Sequence, residues 1–179
     1  MIFARWRARR AARNLIDQIH GEIVAAARDP ALYTVCAVPD DLDGRFEMTT
    51  LHADLALRRL AELGATELAQ ELVDRVFEAF DDALREMAVS DAGVAKRMTK
   101  MAGAYLGRAK AYAAALDAED AATLAQALAR NALRVGDAVT PAALRLAERA
   151  LSQKRGLAEI PLEAFLSGRF RFPASETLP

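Results

Sequence analysis

Apolar residues recur in this chain at helical spacing from one end almost to the other, and no run of strict apolar and polar alternation longer than a few residues occurs before the C-terminal tail. Alternation at period two is what a half-buried strand requires, so its absence leaves helix as the one repeating structure available. The dominant residues, Ala, Leu, Glu and Arg, are strong helix formers. Although 53% of residues are hydrophobic, only 6% are aromatic, so the core must be built from many small helix contacts. The chain is therefore expected to be all-α: a single-domain helical bundle of six to seven helices with an irregular C-terminal tail, which 179 residues can supply.

Punctuation residues place the elements. A first helix runs from about Ala4 to Arg28 and ends before Pro30, since the residue preceding a proline is pushed out of the helical region. Ala31 to Val38 reads as a short helical or turn segment, and Pro39 to Gly44 as a loop of turn formers. A second long helix covers Phe46 to Leu63 and stops at Gly64, a left-handed C-terminal cap. The third, Thr66 to Met87, puts Leu68, Leu72, Val76, Phe77, Phe80, Leu84 and Met87 on a core stripe. The fourth spans Gly93 to Leu116 with Asp91 as its N-cap, and Asp117 with Asp120 opens a fifth that reaches Val135. Thr140 and Pro141 start a sixth, which ends before Gly156. A turn over Pro161 to Leu166 leads into an irregular tail, Arg169 to Pro173. Three stretches follow: a basic N-terminal helix over 1–29, the main helical domain over 30–155, and a C-terminal turn and tail over 156–179 packing on that domain.

Several chemistries are excluded. One cysteine, Cys36, and two histidines, His20 and His52, cannot build a disulfide framework or a Cys/His zinc site within one chain, and Cys36 reads as a small buried hydrophobe. The longest uncharged stretch, Pro30 to Pro39, is far short of the roughly 20 apolar residues that span a bilayer. The basic start is not followed by the apolar core of a secretory signal. Neither a phosphate-cradling G-x-x-x-x-G-K-[ST] loop nor a G-x-S-x-G elbow is present. His20-x-Glu22 lacks the P-C-x-x-C of zinc deaminases, and Glu78, Asp81, Asp82 and Glu86 lack the Glu-x-x-His partners of di-iron bundles. His52, among leucines, reads as a hydrogen-bonded helix histidine. No catalytic residue, metal or cofactor is expected.

Charge is segregated where chemistry is missing. Between Glu62 and Asp91 stand nine acids and two bases, a net of −7; between Ala92 and Leu116 stand five bases, Lys96, Arg97, Lys100, Arg108 and Lys110, and no acid. One reading is an antiparallel hairpin with ion-paired flanks, each exposed pair worth ~0.2 to 1 kcal/mol. That reading is incomplete. At 100° per residue Val94, Met98, Met101, Tyr105, Ala109, Tyr112 and Leu116 form one apolar sector, while Lys96, Lys100 and Lys110 fall opposite it with Gly103 and Gly107. Arg97 and Arg108 share one flank, roughly 16 Å apart. Two glycines in a helix cost ~1 kcal/mol each relative to alanine. Either they leave a bare outer face for another helix or an extended peptide, or a neighbouring helix of the same domain fills the space. At the N-terminus Arg5, Arg7, Arg9, Arg10 and Arg13 stand with Phe3 and Trp6, a mixture that suits an anionic membrane surface or an RNA backbone, or simply a solvated helix start.

Leu84-Arg85-Glu86-Met87, then Asp91 to Met98 with Met101, then Tyr105-Leu106-Gly107-Arg108 resemble the signature of the ubiquinol-cytochrome c chaperone family, with Phe46-Glu47-Met48 and Arg58-Arg59-Leu60 in order upstream. The resemblance covers roughly Pro30 to Leu133 and departs from the family pattern at Ala88, Ser90 and Ala95. It implies a helical, non-enzymatic factor that binds cytochrome b, or an early assembly intermediate, during biogenesis of the bc1 complex. It further implies work near the ribosome or with a small helical partner subunit, and the lack of a long targeting extension favours a bacterial member. The expected location is the cytoplasm, with peripheral contact on the inner face of the cytoplasmic membrane through Phe3, Arg5, Trp6, Arg7, Arg9 and Arg10. The expected partner surface is Arg85, Asp91, Lys96, Arg97, Lys100, Gly103, Tyr105, Gly107 and Arg108, with Arg85 and Asp91 fixing the turn that presents it. An RNA- or ribosome-binding helical adaptor is the alternative, and a helical enzyme or lipid carrier a third; a net charge of −1 gives no reason to expect DNA.

Overall fold

The computed structural model describes residues 2–87 and 90–174, with side chains from Arg10 onward. Its elements are α1 (Ile2–Ala27), α2 (Pro30–Thr34), α3 (Leu42–Glu62), α4 (Thr66–Glu86), α5 (Asp91–Asp117), α6 (Ala121–Asn131), α7 (Pro141–Ala158) and α8 (Leu162–Leu166). Six are long and two are single turns, and no strand occurs among the described residues.

The centre of the bundle is α3, which packs against α1, α4, α5 and α7. It is buried nearly all round: Met48, Leu51, Leu55 and Leu60 lie in the core, and so do the polar Glu47, Thr50, His52 and Asp54. On α1, Ile16, Ile19, Ile23 and Ala27 keep the 3–4 spacing that turns one stripe inward. The α6–α7 hairpin closes through alanine, with Ala125, Ala129, Ala143, Ala147 and Ala150 at 1% exposure or less. Small side chains at both faces let these axes approach closely, which is how an aromatic-poor chain reaches core density.

Local signals fix the ends. Asp41 caps α3 by accepting from the Gly44 N–H at 2.8 Å, so α3 begins one turn earlier than Phe46. That turn is tight: a Cβ on Gly44 would collide with the Pro39 carbonyl oxygen. Gly64 ends α3 at φ +69°, the left-handed geometry expected of it. The cap of α5 is Ser90, whose Oγ accepts from Gly93 N–H at 3.4 Å, rather than Asp91, which is the first helical residue and turns its carboxylate to Arg85. Ala88 lies outside the described residues. Asp120 alone caps α6, accepting from Ala122 and Thr123, while Asp117 pairs with Arg58 of α3. Helix α6 stops at Asn131, short of Val135, because the chain turns through Arg134 at φ +59° and Gly136 at φ +76°.

Two expectations fail for a shared reason: spacing cannot distinguish a residue that ends an element from one that touches a neighbour. Met87 lies just past the end of α4 and is 53% exposed, not core. Helix α7 runs through Gly156 to Ala158, and the glycine serves contact: a Cβ there would lie 2.7 Å from Cβ of Pro173. The tail is irregular, as expected, yet firmly placed. Phe170 stacks on Phe165 at 4.4 Å, Phe172 packs against the His52 ring at 5.2 Å, and the Phe172 N–H donates to Glu22 at 3.2 Å. His52 Nδ1–H donates to the Met48 carbonyl at 2.7 Å, and burial holds its pKa down to about 4. Cys36 is buried, and its thiol pKa is raised by desolvation. Among the described residues no helix is long and apolar enough to cross a membrane.

Candidate functional site

The charge-segregated fourth helix of the sequence is α5, and its inner side is firmly seated. Val94, Tyr105, Tyr112, Ala115 and Leu116 are buried, and the Tyr105 ring meets Phe77 edge-on at 5.5 Å. Burial raises the pKa of both tyrosines, so they remain neutral phenols. Tyr105 is thus a core residue and not part of an accessible surface.

Two ion pairs tie α5 to α3. Arg108 donates from Nε to both oxygens of Glu47, at 3.0 and 3.1 Å, and from Nη2 to Oε1 at 2.7 Å. The Glu47 side chain is 7% exposed, and its hydrogen bonds raise the Arg108 pKa. Arg58 of α3 bonds Asp54 at 2.8 Å and reaches Asp117 of α5 at 3.0 Å. At the other end Arg85 joins α4 to α5, donating to Asp81 at 2.6 Å and Asp91 at 2.8 Å, the bracing expected of this pair.

The outer side of α5 differs. Lys96, Arg97, Lys100 and Lys110 are exposed, and among the described residues none has a carboxylate within ion-pairing distance. The acids of α4 do not neutralise them: Glu78 pairs with Arg13 of α1, and Asp81 is engaged by Arg85. The expected ion-paired flanks between these two helices are therefore absent beyond the Arg85 brace. A Cβ added at Gly103 or Gly107 would meet nothing within 4 Å, so among the described residues no neighbouring helix fills the space above them. Leu106, between the two glycines, is 68% exposed.

Beside this face lies an open cleft of about 600 Å³ between the start of α3, α5 and the end of α6. Its apolar part comprises Leu42, Phe46, Leu84, Met101 and Ala104. Of its cations, Arg108 is matched by Glu47, Arg134 by Asp41 and Arg130 by Asp137, and the Arg134 hydrogen bond holds the Asp41 carboxyl below its ordinary range. Arg97 and Lys100 remain unmatched at the rim.

The structure thus brings together Lys96, Lys100, Gly103 and Gly107 on one exposed face, with exposed Arg97 on its cleft-side flank and Arg85 and Asp91 at its N-terminal end, while Tyr105 and Arg108 turn inward. Sequence reasoning missed the cleft and the contributions of Glu47, Arg130 and Arg134 to it. The available signal was Glu47 itself, an acid inside an apolar helix, which demands a buried cation. Phe3, Arg5, Trp6, Arg7 and Arg9 belong to α1, but their side chains lie outside those described; Arg10 is exposed. No cluster of His, Cys, Asp or Glu that could hold a metal occurs among the described residues.

No curated protein matches the chain at a significant level. The family described as ubiquinol-cytochrome C chaperone matches residues 34–172, well beyond the expected limit at Leu133 and through the packed tail. The crystal structure of the Cbp3 homolog from Brucella abortus is 39% identical, with a TM-score of 0.83 over 97% of each chain. The chain belongs to the ubiquinol-cytochrome C chaperone family.

Proposed function

We propose that this protein is a non-enzymatic assembly chaperone that binds cytochrome b, or an early intermediate containing it, while the bc1 complex is built. Its docking surface is the outer face of α5 with the adjoining cleft. Family membership supports the chaperone role. The observation that supports the surface is the helix face whose cations lack partner carboxylates and whose glycines stand in open space. In this reading Lys96, Arg97, Lys100, Gly103 and Gly107 meet the client, and Arg85 with Asp91 sets the angle at which α5 presents them. Tyr105 and Arg108 hold α5 to the bundle. Peripheral attachment to the inner face of the membrane through the N-terminal arginines would bring the chaperone to a client that enters the bilayer.

The test is steric. A Cβ at positions 103 and 107 meets nothing within 4 Å among the described residues, so Gly103→Leu with Gly107→Leu is expected to leave folding intact and to obstruct what docks there. In cells relying on the double variant, assembled bc1 complex, measured by its b-type haem absorbance in membranes, falls sharply. Each lost contact of ~1.4 kcal/mol weakens binding about tenfold. Normal haem content with a folded variant would refute the assignment of this face. An RNA or ribosome adaptor would use the same cations against phosphates, and its binding would weaken steeply with salt; the exposed Leu106 between the glycines suits a protein surface better.

A further inference from the structure

We infer that the segment received by α5 is an acidic amphipathic helix of another protein, seated on the Gly103/Gly107 notch with its carboxylates against Lys96, Lys100 and Lys110. The inference rests on the docking face proposed above and adds the chemistry of what docks there. Three observations converge on it. The first is shape. Gly103 and Gly107 are one turn apart with nothing above them, and exposed Leu106 stands beside them. A helix laid across such a notch approaches closer than the 8–10 Å of ordinary helix pairs and is gripped by the leucine. The second is extent. Lys96 and Lys110 are fourteen residues apart on one straight helix face, so the exposed strip runs for about 21 Å, four turns of a partner helix.

The third is charge, and it selects among occupants. Between Asp91 and Asp117 the helix carries no acid, and its outward cations are unmatched, while the carboxylates lining the cleft, Asp41, Asp43 and Glu47, each already face an arginine. A second copy of this chain docking symmetrically would bring lysine against lysine along the whole strip, so symmetric self-association through this face is disfavoured. A phosphate backbone would satisfy the lysines but gains nothing from a glycine notch flanked by an exposed leucine. A helix with carboxylates on both sides of a seam of small residues satisfies the lysines, the notch and Leu106 together, and can lower an apolar side chain past Lys100 onto Met101 and Phe46 in the cleft. Electrostatic matching of this kind chiefly sets encounter rate and register.

Carbodiimide coupling in membranes from assembling cells tests this, because the reagent joins a lysine amine to a carboxylate only when the two touch. Peptide mapping is expected to find amide links from Lys96, Lys100 or Lys110 to Asp or Glu residues three or four apart in one helical segment of another protein. Those links disappear in the Gly103→Leu/Gly107→Leu variant. The triple variant Lys96→Glu, Lys100→Glu, Lys110→Glu, which breaks no internal ion pair, should lower assembled complex about tenfold or more. Links only to second copies of this chain, attachment abolished by nuclease, or recovery on anionic vesicles without protein links would each overturn the inference. So would normal assembly in the triple variant while the glycine variant still fails, a result that would leave the docking face standing. Normal assembly in both variants would remove the docking face as well.

Discussion

Arg97 and Arg108 look equivalent on a helical wheel and are opposites in the fold. Arg108 meets Glu47, an acid on a different helix whose arrival no wheel can anticipate, whereas Arg97 stays unmatched at the cleft rim. Arg108→Ala leaves the Glu47 carboxylate buried without a cation and should cost ~3 kcal/mol by urea denaturation. Arg97→Ala should stay within about 0.5 kcal/mol of the parent. Equal effects would mean that the buried pair does not hold α5 to α3. Arg108 is for this reason a poor site for charge reversal, since two carboxylates would then share a buried position. The two histidines give the chain an acid limit. Burial first, and Arg75 next for His20, hold both folded pKa values to about 4 against an ordinary 6.5. The unfolded chain therefore takes up these protons as pH falls below 6.5 while the folded one resists until about 4. Their stabilising contribution is complete above pH 6.5 and is lost across that window, by up to roughly 3 kcal/mol each. Urea midpoints should be flat above pH 7 and fall steeply from 6.5 to 4; a flat profile through pH 5 would contradict the buried, neutral histidines.

Among the elements, glycines show where sequence reading succeeds and where it stops. Gly64 announces a helix end and is one, because a left-handed residue is a local requirement. Gly156 carries the same signal but lies inside α7, since the need it meets is imposed by Pro173 from the distant tail. Gly103 and Gly107 meet neither need: both are helical and both face open space. Replacing the pair by alanine should raise stability by about 1 kcal/mol per site, while Gly156→Ala sets the same helical gain against displacement of the tail. Thermal denaturation of the variants checks this. A loss of stability in Gly103→Ala/Gly107→Ala would mean that the outer face of α5 packs against something within the protein. Caps chosen by local chemistry, such as Asp120 and Thr140, were legible; the choice between Ser90 and Asp91 depended on Arg85 capturing the Asp91 carboxylate across the turn.

Across the whole molecule, helical periodicity and the absence of strand alternation sufficed for the all-α architecture, because both are properties of the local chain. The central position of α3 was hidden, since its burial on nearly every side comes from four other helices, most of them not its neighbours in sequence. The exposed strip on α5 was legible as a wheel pattern, but the open space above its glycines was not, because a wheel says which way a residue faces and not what stands there. The cleft beside it joins α3, α4, α5 and α6, and no single segment carries its outline. Acylation of lysine amines compares this face directly in the free protein and in membranes that hold assembling bc1 intermediates, with Lys154, paired with Glu119 at 3.3 Å, as internal reference. Lys96, Lys100 and Lys110 are expected to lose reactivity together in the membranes while Lys154 does not change. Undiminished reactivity of all three in membranes where the chaperone is bound to its client would show that the client docks elsewhere.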